Sequence, residues 1–251
     1  MARVRLDQLL VARGLTPTRE RARALILAGH AFVDDAPVTK AGTFVHEDAR
    51  ITLRQPDHPW VGRGGVKLAH ALEHFKIDPA GLVALDIGAS TGGFTDVLLQ
   101  RGAARVVALD VGQNQIDWRL RSDARVVVIE GTNARYLTPE QLPDGLRRFD
   151  LVTIDVSFIS LRLILPVVPP LLAPNARVIA LVKPQFEAGR EDVGAGGIVR
   201  DAATHARVVT DVETAAHRIG LTPLAVEPSP ITGAEGNREF LMLLAPAAPP
   251  V

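Results

Sequence analysis

The chain has 251 residues, 47% of them hydrophobic, so its length accommodates one large domain plus a small one and its composition supports a real core. Lysine plus arginine equals aspartate plus glutamate at 28 each, so no global charge announces a polyanionic partner, although a balanced total can hide local asymmetry. The absence of cysteine excludes disulfides, thiolate zinc sites and cysteine nucleophiles.

The opening MARVRLDQLL lacks the apolar core of a signal peptide. Residues 1–53 read as a small α+β domain. Leu6, Leu9 and Leu10 have helical spacing, and Gly14 is a helix stop. Thr16 or Thr18 can cap a second helix, with Pro17 pre-set for its first turn. That helix turns Ala22, Leu25 and Ile26 inward and ends at Gly29, and the short strands AFVDD and ARITL follow. Within the first thirty residues Arg3, Arg5, Arg13, Arg19, Arg21 and Arg23 face only Asp7 and Glu20. They make either a solvated helix face or a phosphate-binding one. Arg19 and Arg23 are four apart and share a helix side, where planar guanidinium forks can bridge RNA phosphates. The pattern RLDQLLVARGL…TRERARALILAGHAFVDDAPV resembles the RNA-binding domain of the fourth small-subunit ribosomal protein and of pseudouridine synthases.

Residues 54–62 read as a linker, because Pro56 and Pro59 disfavour helix before them. Trp60 either anchors this linker or simply packs. Residues 63–246 form the second domain, and 247–251 a tail. RGGVKL places Lys67 among glycines, but without the GxxxxGK[ST] spacing of a phosphate loop. Lys67 begins a helix whose inward face is Leu68, Ala71, Leu72 and Phe75, and it lies off that face. VALDI, RVVALD, RVVVIE, LVTID and RVIALV are continuously apolar strands separated by helical patterns, which predicts a doubly wound, mostly parallel α/β sheet closed by REFLMLLA. The most apolar stretch, LRLILPVVPPLLAP, is broken by four prolines and too short to span a bilayer, so a soluble cytoplasmic protein is expected.

In VALDIGASTGGFTDVLL a strand, a glycine-rich turn and a helix follow one another. In such sheets ligands gather beyond the strands' carboxyl ends. Gly88, Gly92 and Gly93 would admit a ligand close to the backbone, with Ala89 and Ser90 between them. The spacing DxGxSTGG is not the dinucleotide GxGxxG, and Asp86 would repel a pyrophosphate. S-adenosylmethionine (SAM), which has no phosphate, suits the turn better. Asp86 would serve its methionine end, Asp110 its ribose hydroxyls, and Asn133 its adenine. A helix cap for Asp110 and an ordinary turn for Asn133 are the plainer alternatives.

Asp155 ends the fourth strand, Lys183 ends the fifth, and Glu239 begins the last; if that strand is antiparallel, all three meet at one sheet edge beside Lys67. RGGVKL, DIGASTGGFTDVLLQRGA, DVSFISLRLILP, VKPQFEAGREDVGAGGIVRD and SPITGAEGNREFL together resemble the haemolysin A (TlyA) family of rRNA 2′-O-methyltransferases, related to the FtsJ type. The resemblance covers nearly the whole chain. It implies a Rossmann-like, seven-stranded SAM-dependent methyltransferase domain and a Lys67–Asp155–Lys183–Glu239 catalytic tetrad. It further implies ribosomal RNA, within assembled subunits, as partner and cytidine 2′-O-methylation as activity. Lys183 is expected to be the base or the group that orients the hydroxyl, positioned by Asp155. Arg63 is free for RNA or a structural contact. The loop 187–201 is a lid, an RNA-contacting loop or a plain connection, with Asp201 capping the helix after it. His70 and His74 have metal-ligand spacing, but no third ligand is evident, so no metal is expected. A membrane-active haemolysin and an RNA-binding module with a non-catalytic cofactor fold are the rival functions.

Overall fold

The computed structural model describes residues 3–27, 29–53, 58–233 and 236–247. The chain divides into two compact units, Met1–Pro59 and Trp60–Val251. Of the expected linker, residues 54–57 lie outside the described residues, as do 248–251 of the tail.

The first unit runs β1 (Arg3–Arg5), α1 (Leu6–Ala12), α2 (Arg19–Leu27), β2 (Ala31–Val33), β3 (Ala36–Val38), β4 (Phe44–His46) and β5 (Ile51–Leu53). Leu6, Leu9, Leu10, Ala22 and Ile26 form its core with Ala31, Val45 and Ala49. The α2 N-terminus is capped by Thr18, whose Oγ1 accepts from Arg21 N at 3.2 Å; Pro17 therefore precedes the cap instead of entering the first turn. Asp34 and Asp35 hold φ of 48° and 66°, the two left-handed residues that a tight β2–β3 hairpin demands. The pair β1–β4 is absent from the sequence reading, because three-residue strands carry too little alternation to register.

Asp7 is fully buried. Arg5 donates to its Oδ1 and Oδ2 at 3.0 Å each, and Arg19 Nε donates to Oδ2 at 2.9 Å. The Arg5 hydrogen bonds, joined by those of Arg19, hold the Asp7 carboxyl at about 2. These two arginines thus lock α1 to α2. Arg3 and Arg23 are exposed.

The second unit runs α3 (Gly64–His74), β6 (Val83–Ile87), α4 (Gly93–Gln100), β7 (Arg105–Leu109), α5 (Trp118–Arg121), β8 (Val126–Ile129) and β9 (Phe149–Ile154). It continues through α6 (Leu161–Ile164), β10 (Leu172–Val182), α7 (Pro184–Glu187), α8 (Ala202–Arg218), β11 (Leu221–Pro228) and β12 (Phe240–Pro246). The seven-stranded sheet has the order β11-β12-β10-β9-β6-β7-β8, and only β12 runs against the others. Both faces are buried, as the unbroken apolar runs require. Leu85, Ile87, Val152, Val178 and Met242 face one core, and Ala84, Leu151, Ile179 and Leu241 the other. Each buried aliphatic side chain of that size contributes roughly 1.5–3 kcal/mol. Asp201 caps α8 as expected, accepting from Thr204 N at 2.8 Å.

In the larger unit, the edge strand β11 is the strand that the sequence reading lacks. Its two prolines demote it, yet proline is tolerated on an edge. It brings Glu227 to 3.5 Å from both His70 and His74, the third donor that the sequence did not reveal.

Candidate active site

Successive strands leave β6 in opposite directions, since β7 lies on one side and β9 on the other. Ligands bind at such a switch point, beyond the strands' carboxyl ends. Gly88 follows β6 with φ of 86°, and a Cβ there would stand 2.4 Å from the Asp155 carbonyl oxygen. Only glycine lets these two strand ends approach so closely. The next residues do different work. Ser90 turns with φ of 50°, and its N–H donates to Asp110 Oδ2 at 2.8 Å. Gly92, expected at the ligand, instead packs against Leu120, whose Cδ1 would lie 2.2 Å from a Cβ. A Cβ on Gly93 would come within 3.0 Å of Gly65 N, so this glycine lets α4 approach the α3 N-terminus.

A cavity of about 500 Å³ opens at this edge, lined by Gly88, Ser90, Asp110, Asn133, Asp155 and Ser157 among others, with Leu109, Val111 and Ile164 as apolar wall. Asp110 Oδ1 also accepts from Gly112 N at 2.6 Å. Asn133 Oδ1 accepts from Arg135 N at 3.0 Å, which leaves its amide N–H₂ for the cavity. A smaller recess lined by Ala89, Gly93, Asp155, Ser157 and Lys183 adjoins it. A third cavity, of about 330 Å³, carries Lys67, Lys183, Glu239, Asn237, Ser157 and Phe158. Ser157 lines all three.

Asp86 does not reach this space. It is fully buried inside β6, with Thr95 Oγ1 donating at 2.7 Å and Thr153 Oγ1 at 2.9 Å. Burial pushes its carboxyl up to about 7, against the pull of those two hydroxyls. The sequence position of a strand-end acid gave no sign that the strand continues one residue past it.

The four scattered charged residues meet as two ion pairs. Lys67 Nζ lies 2.5 Å from Glu239 Oε2, and Lys183 Nζ lies 2.6 Å from Asp155 Oδ1. Lys183 Nζ also donates to Ser157 Oγ at 2.9 Å. Lys67 and Lys183 are each 8% exposed and Glu239 3%, so all three are desolvated. Replacing buried ion pairs with apolar residues is often neutral or stabilising, so stability alone does not explain them. Glu239 fits because Gly233 stands beside it: a Cβ there would be 2.1 Å from Oε1.

Sequence reasoning missed three residues here. Ser157 was visible in DVSFIS, but a lone serine after a strand reads as turn chemistry. Phe158 is 90% exposed with φ of 64°, and its ring centroid is 5.2 Å from that of Phe186. Asn237 is buried; it accepts from Val199 N at 3.0 Å and donates to Gly197 O at 2.9 Å. It thereby pins the glycine-rich loop, whose Val193 and Gly197 line the third cavity. Trp60 packs on α3 where Gly65 has no side chain, and Val61 N donates to Asp96 at 2.8 Å. Arg63 is exposed, with a long 3.4 Å contact to Thr232 O.

A doubly wound sheet with a glycine turn, an acidic cavity and a buried lysine–carboxylate cluster defines a class. Residues 60–245 match the FtsJ-like methyltransferase family, and residues 4–51 match the S4 domain. The chain belongs to the FtsJ-like methyltransferase family and is an enzyme of that class. It is 47% identical over 243 residues to the 16S/23S rRNA (cytidine-2′-O)-methyltransferase TlyA of Mycobacterium tuberculosis, covering 96% of this chain and 90% of the relative. It is 40% identical to Hemolysin A of Brachyspira hyodysenteriae, covering 95% and 98%. The solved structure of a Streptococcus thermophilus protein described as a hemolysin matches with a TM-score of 0.77 at 42% identity, covering 100% of this chain and 90% of that one.

Proposed function

We propose that the protein methylates the ribose 2′-hydroxyl of cytidine in ribosomal RNA, with SAM as methyl donor. The observation that carries this reading is the pair of buried lysine–carboxylate contacts opening on one cavity beside another suited to SAM. The lining of the larger cavity includes Asp110 and Asp155 and, among the described residues, no lysine, arginine or histidine. Such a donor set suits a cationic ligand without phosphates better than a dinucleotide. Asp110 has lone pairs left for a ribose diol, and Asn133 an amide for adenine. Bound there, SAM would supply an electrophilic methyl group.

The chain's own residues do the rest. The hydroxyl enters the cavity that Lys67, Lys183 and Glu239 line. Lys183 has three N–H donors; Ser157 Oγ accepts one, and Asp155 Oδ1 stands 2.6 Å away as the counter-ion, which leaves an N–H to orient the hydroxyl oxygen. With Lys183 charged, the hydroxyl's proton passes to the Asp155 carboxylate as the oxygen attacks. Lys67 and Glu239 hold the ribose from the other side. Alignment of the reacting atoms supplies much of the rate, and proton transfer roughly 10²–10⁴-fold more. Phe158, exposed at the mouth, offers a face on which an unstacked base can lie.

Residues 1–53 serve as the RNA-holding domain and 63–246 as the transferase, joined by 54–62. Arg3 and Arg23 are the phosphate contacts of this proposal, with Arg63 near the transferase site; Arg5 and Arg19 act chiefly by holding Asp7. A lytic reading follows only from the names of relatives. No helix among the described residues is long and apolar enough to cross a membrane.

The test is labelled methyl transfer from SAM to each purified ribosomal subunit and to naked rRNA, followed by nucleoside analysis. The expected product is 2′-O-methylcytidine, formed best on an assembled subunit. A base-methylated nucleoside would overturn the mechanism.

A further inference from the structure

We infer that His70, His74 and Glu227 form a binding site for a zinc-class divalent cation, which clips α3 to the edge strand β11. This proposal stands apart from the methyl-transfer reading and uses none of its residues. His70 and His74 are one turn apart on α3, so both rings leave the same helix side, the spacing that presents two imidazoles to one ion. Their rings stack at 5.9 Å with an interplanar angle of 27°. Glu227, from a different element, places one carboxylate oxygen at each ring: Oε1 is 3.5 Å from His70 Nε2 and Oε2 is 3.5 Å from His74 Nε2.

Those distances are long for a hydrogen-bonded cluster and match the spacing of donors around an ion. A charge-assisted N–H···O bond would close to about 2.7–2.9 Å. Zinc with ligands at about 2.0–2.2 Å in tetrahedral geometry keeps its donor atoms about 3.4 Å apart. One ligand atom from each of the three residues fits within a span of 4.8 Å. His70 Nε2 is moreover buried and has no hydrogen-bond partner among the described residues, although it points into this cluster. A buried ring nitrogen left so costs free energy that a metal bond would recover. Two imidazoles and one carboxylate are the ligand set of a borderline cation such as zinc, not of calcium or magnesium. With three protein donors and His74 45% exposed, a water completes the shell.

The consequence is mechanical. Lys67 lies one turn before His70 on α3, and Glu227 pairs with Leu241 in β12, the strand that follows Glu239. Occupancy would tie together the two elements that present the Lys67–Glu239 pair.

The experiment uses the full chain without a histidine tag. Zinc is titrated against a chromophoric chelator, and cobalt(II) reports the geometry by its visible absorption. The expected result is one zinc per chain, a tetrahedral or five-coordinate cobalt spectrum, and a zinc-induced rise in melting temperature. Loss of second-sphere partners alone weakens metal sites by about 10–100-fold, so Glu227→Gln and His74→Ala should each weaken binding at least about tenfold. His30→Ala, which removes a histidine near His58 instead, should leave it unchanged. Absence of saturable uptake by wild-type protein up to on the order of 100 μM zinc overturns the proposal. So does uptake that Glu227→Gln leaves intact.

Discussion

In the small N-terminal unit the buried charge is Asp7, surrounded by Arg5 and Arg19 and held at about 2. In the larger unit it is Lys67 with Glu239 and Lys183 with Asp155, at the rim of cavities. The first cluster joins helices α1 and α2 and has a packing reason to exist. The second joins the ends of elements that the sheet already holds, and it lines the cavities at the strands' carboxyl ends. Desolvating charge is costly in both places. Where the fold uses the charge, removing it should cost stability; where it does not, removing it should cost activity. The same residue types therefore serve different ends, and the neighbours tell them apart.

Removing one side of the structural cluster should have the largest effect on folding. Asp7→Ala removes the buried acceptor that joins two guanidiniums, and since those remain partly solvated the expected cost is about 2–3 kcal/mol. Hydrogen exchange should show residues 3–53 losing protection while the larger unit keeps its own. Because the native pKa lies below that of an unfolded aspartate, this contribution is present above about pH 4 and fades as pH falls toward about 2.

Asp86 sharpens the contrast, since its partners are only hydroxyls. Its pKa of about 7 exceeds the unfolded value of about 3.9, so the folded state keeps a proton that the unfolded state sheds. Its contribution is greatest below about pH 4 and is lost as pH rises to about 7. Asp86→Asn should remove this dependence, gaining roughly 2–3 kcal/mol relative to wild type between pH 5 and pH 8 in urea melts.

Gly88→Ala forces a side chain against the Asp155 carbonyl in a left-handed conformation. A cost of about 1–3 kcal/mol is expected, together with weaker SAM binding in calorimetry. The smallest effect is on the arginine face. Arg23→Ala should weaken RNA binding a few-fold and make its salt dependence shallower by about one unit of slope, with no change in melting temperature.

Most of the fold was legible because its strands are apolar on both faces, which only a doubly covered sheet explains. β11 was not, because Pro223 and Pro228 mask an edge strand whose partner lies further along the chain. The four charged residues of the larger unit were legible from their places at strand and helix ends and from the family resemblance, and so was the partnership of Asp155 with Lys183; the direct Lys67–Glu239 ion pair was not, since that contact is a property of three-dimensional distance. Asp86 and Gly92 were misplaced for one reason: a glycine-rich turn serves packing as well as binding, and the sequence does not say which glycine does which. Arg5 and Arg19 read as a phosphate face because Asp7, two and twelve residues away, looked like an ordinary surface acid.

The most direct test of the contrast is a single variant with three readouts. Lys183→Met keeps the unbranched shape of the side chain, one atom shorter, and removes its charge. The rate of methyl transfer to rRNA, the affinity for SAM and the melting temperature are measured together. The account predicts a rate lower by at least about 10²-fold, SAM affinity within a few-fold of wild type, and a melting temperature lowered only modestly, because the Asp155 left behind keeps part of its solvent contact. A variant that transfers methyl groups at nearly the wild-type rate, or one whose loss of activity tracks its unfolding, would contradict it.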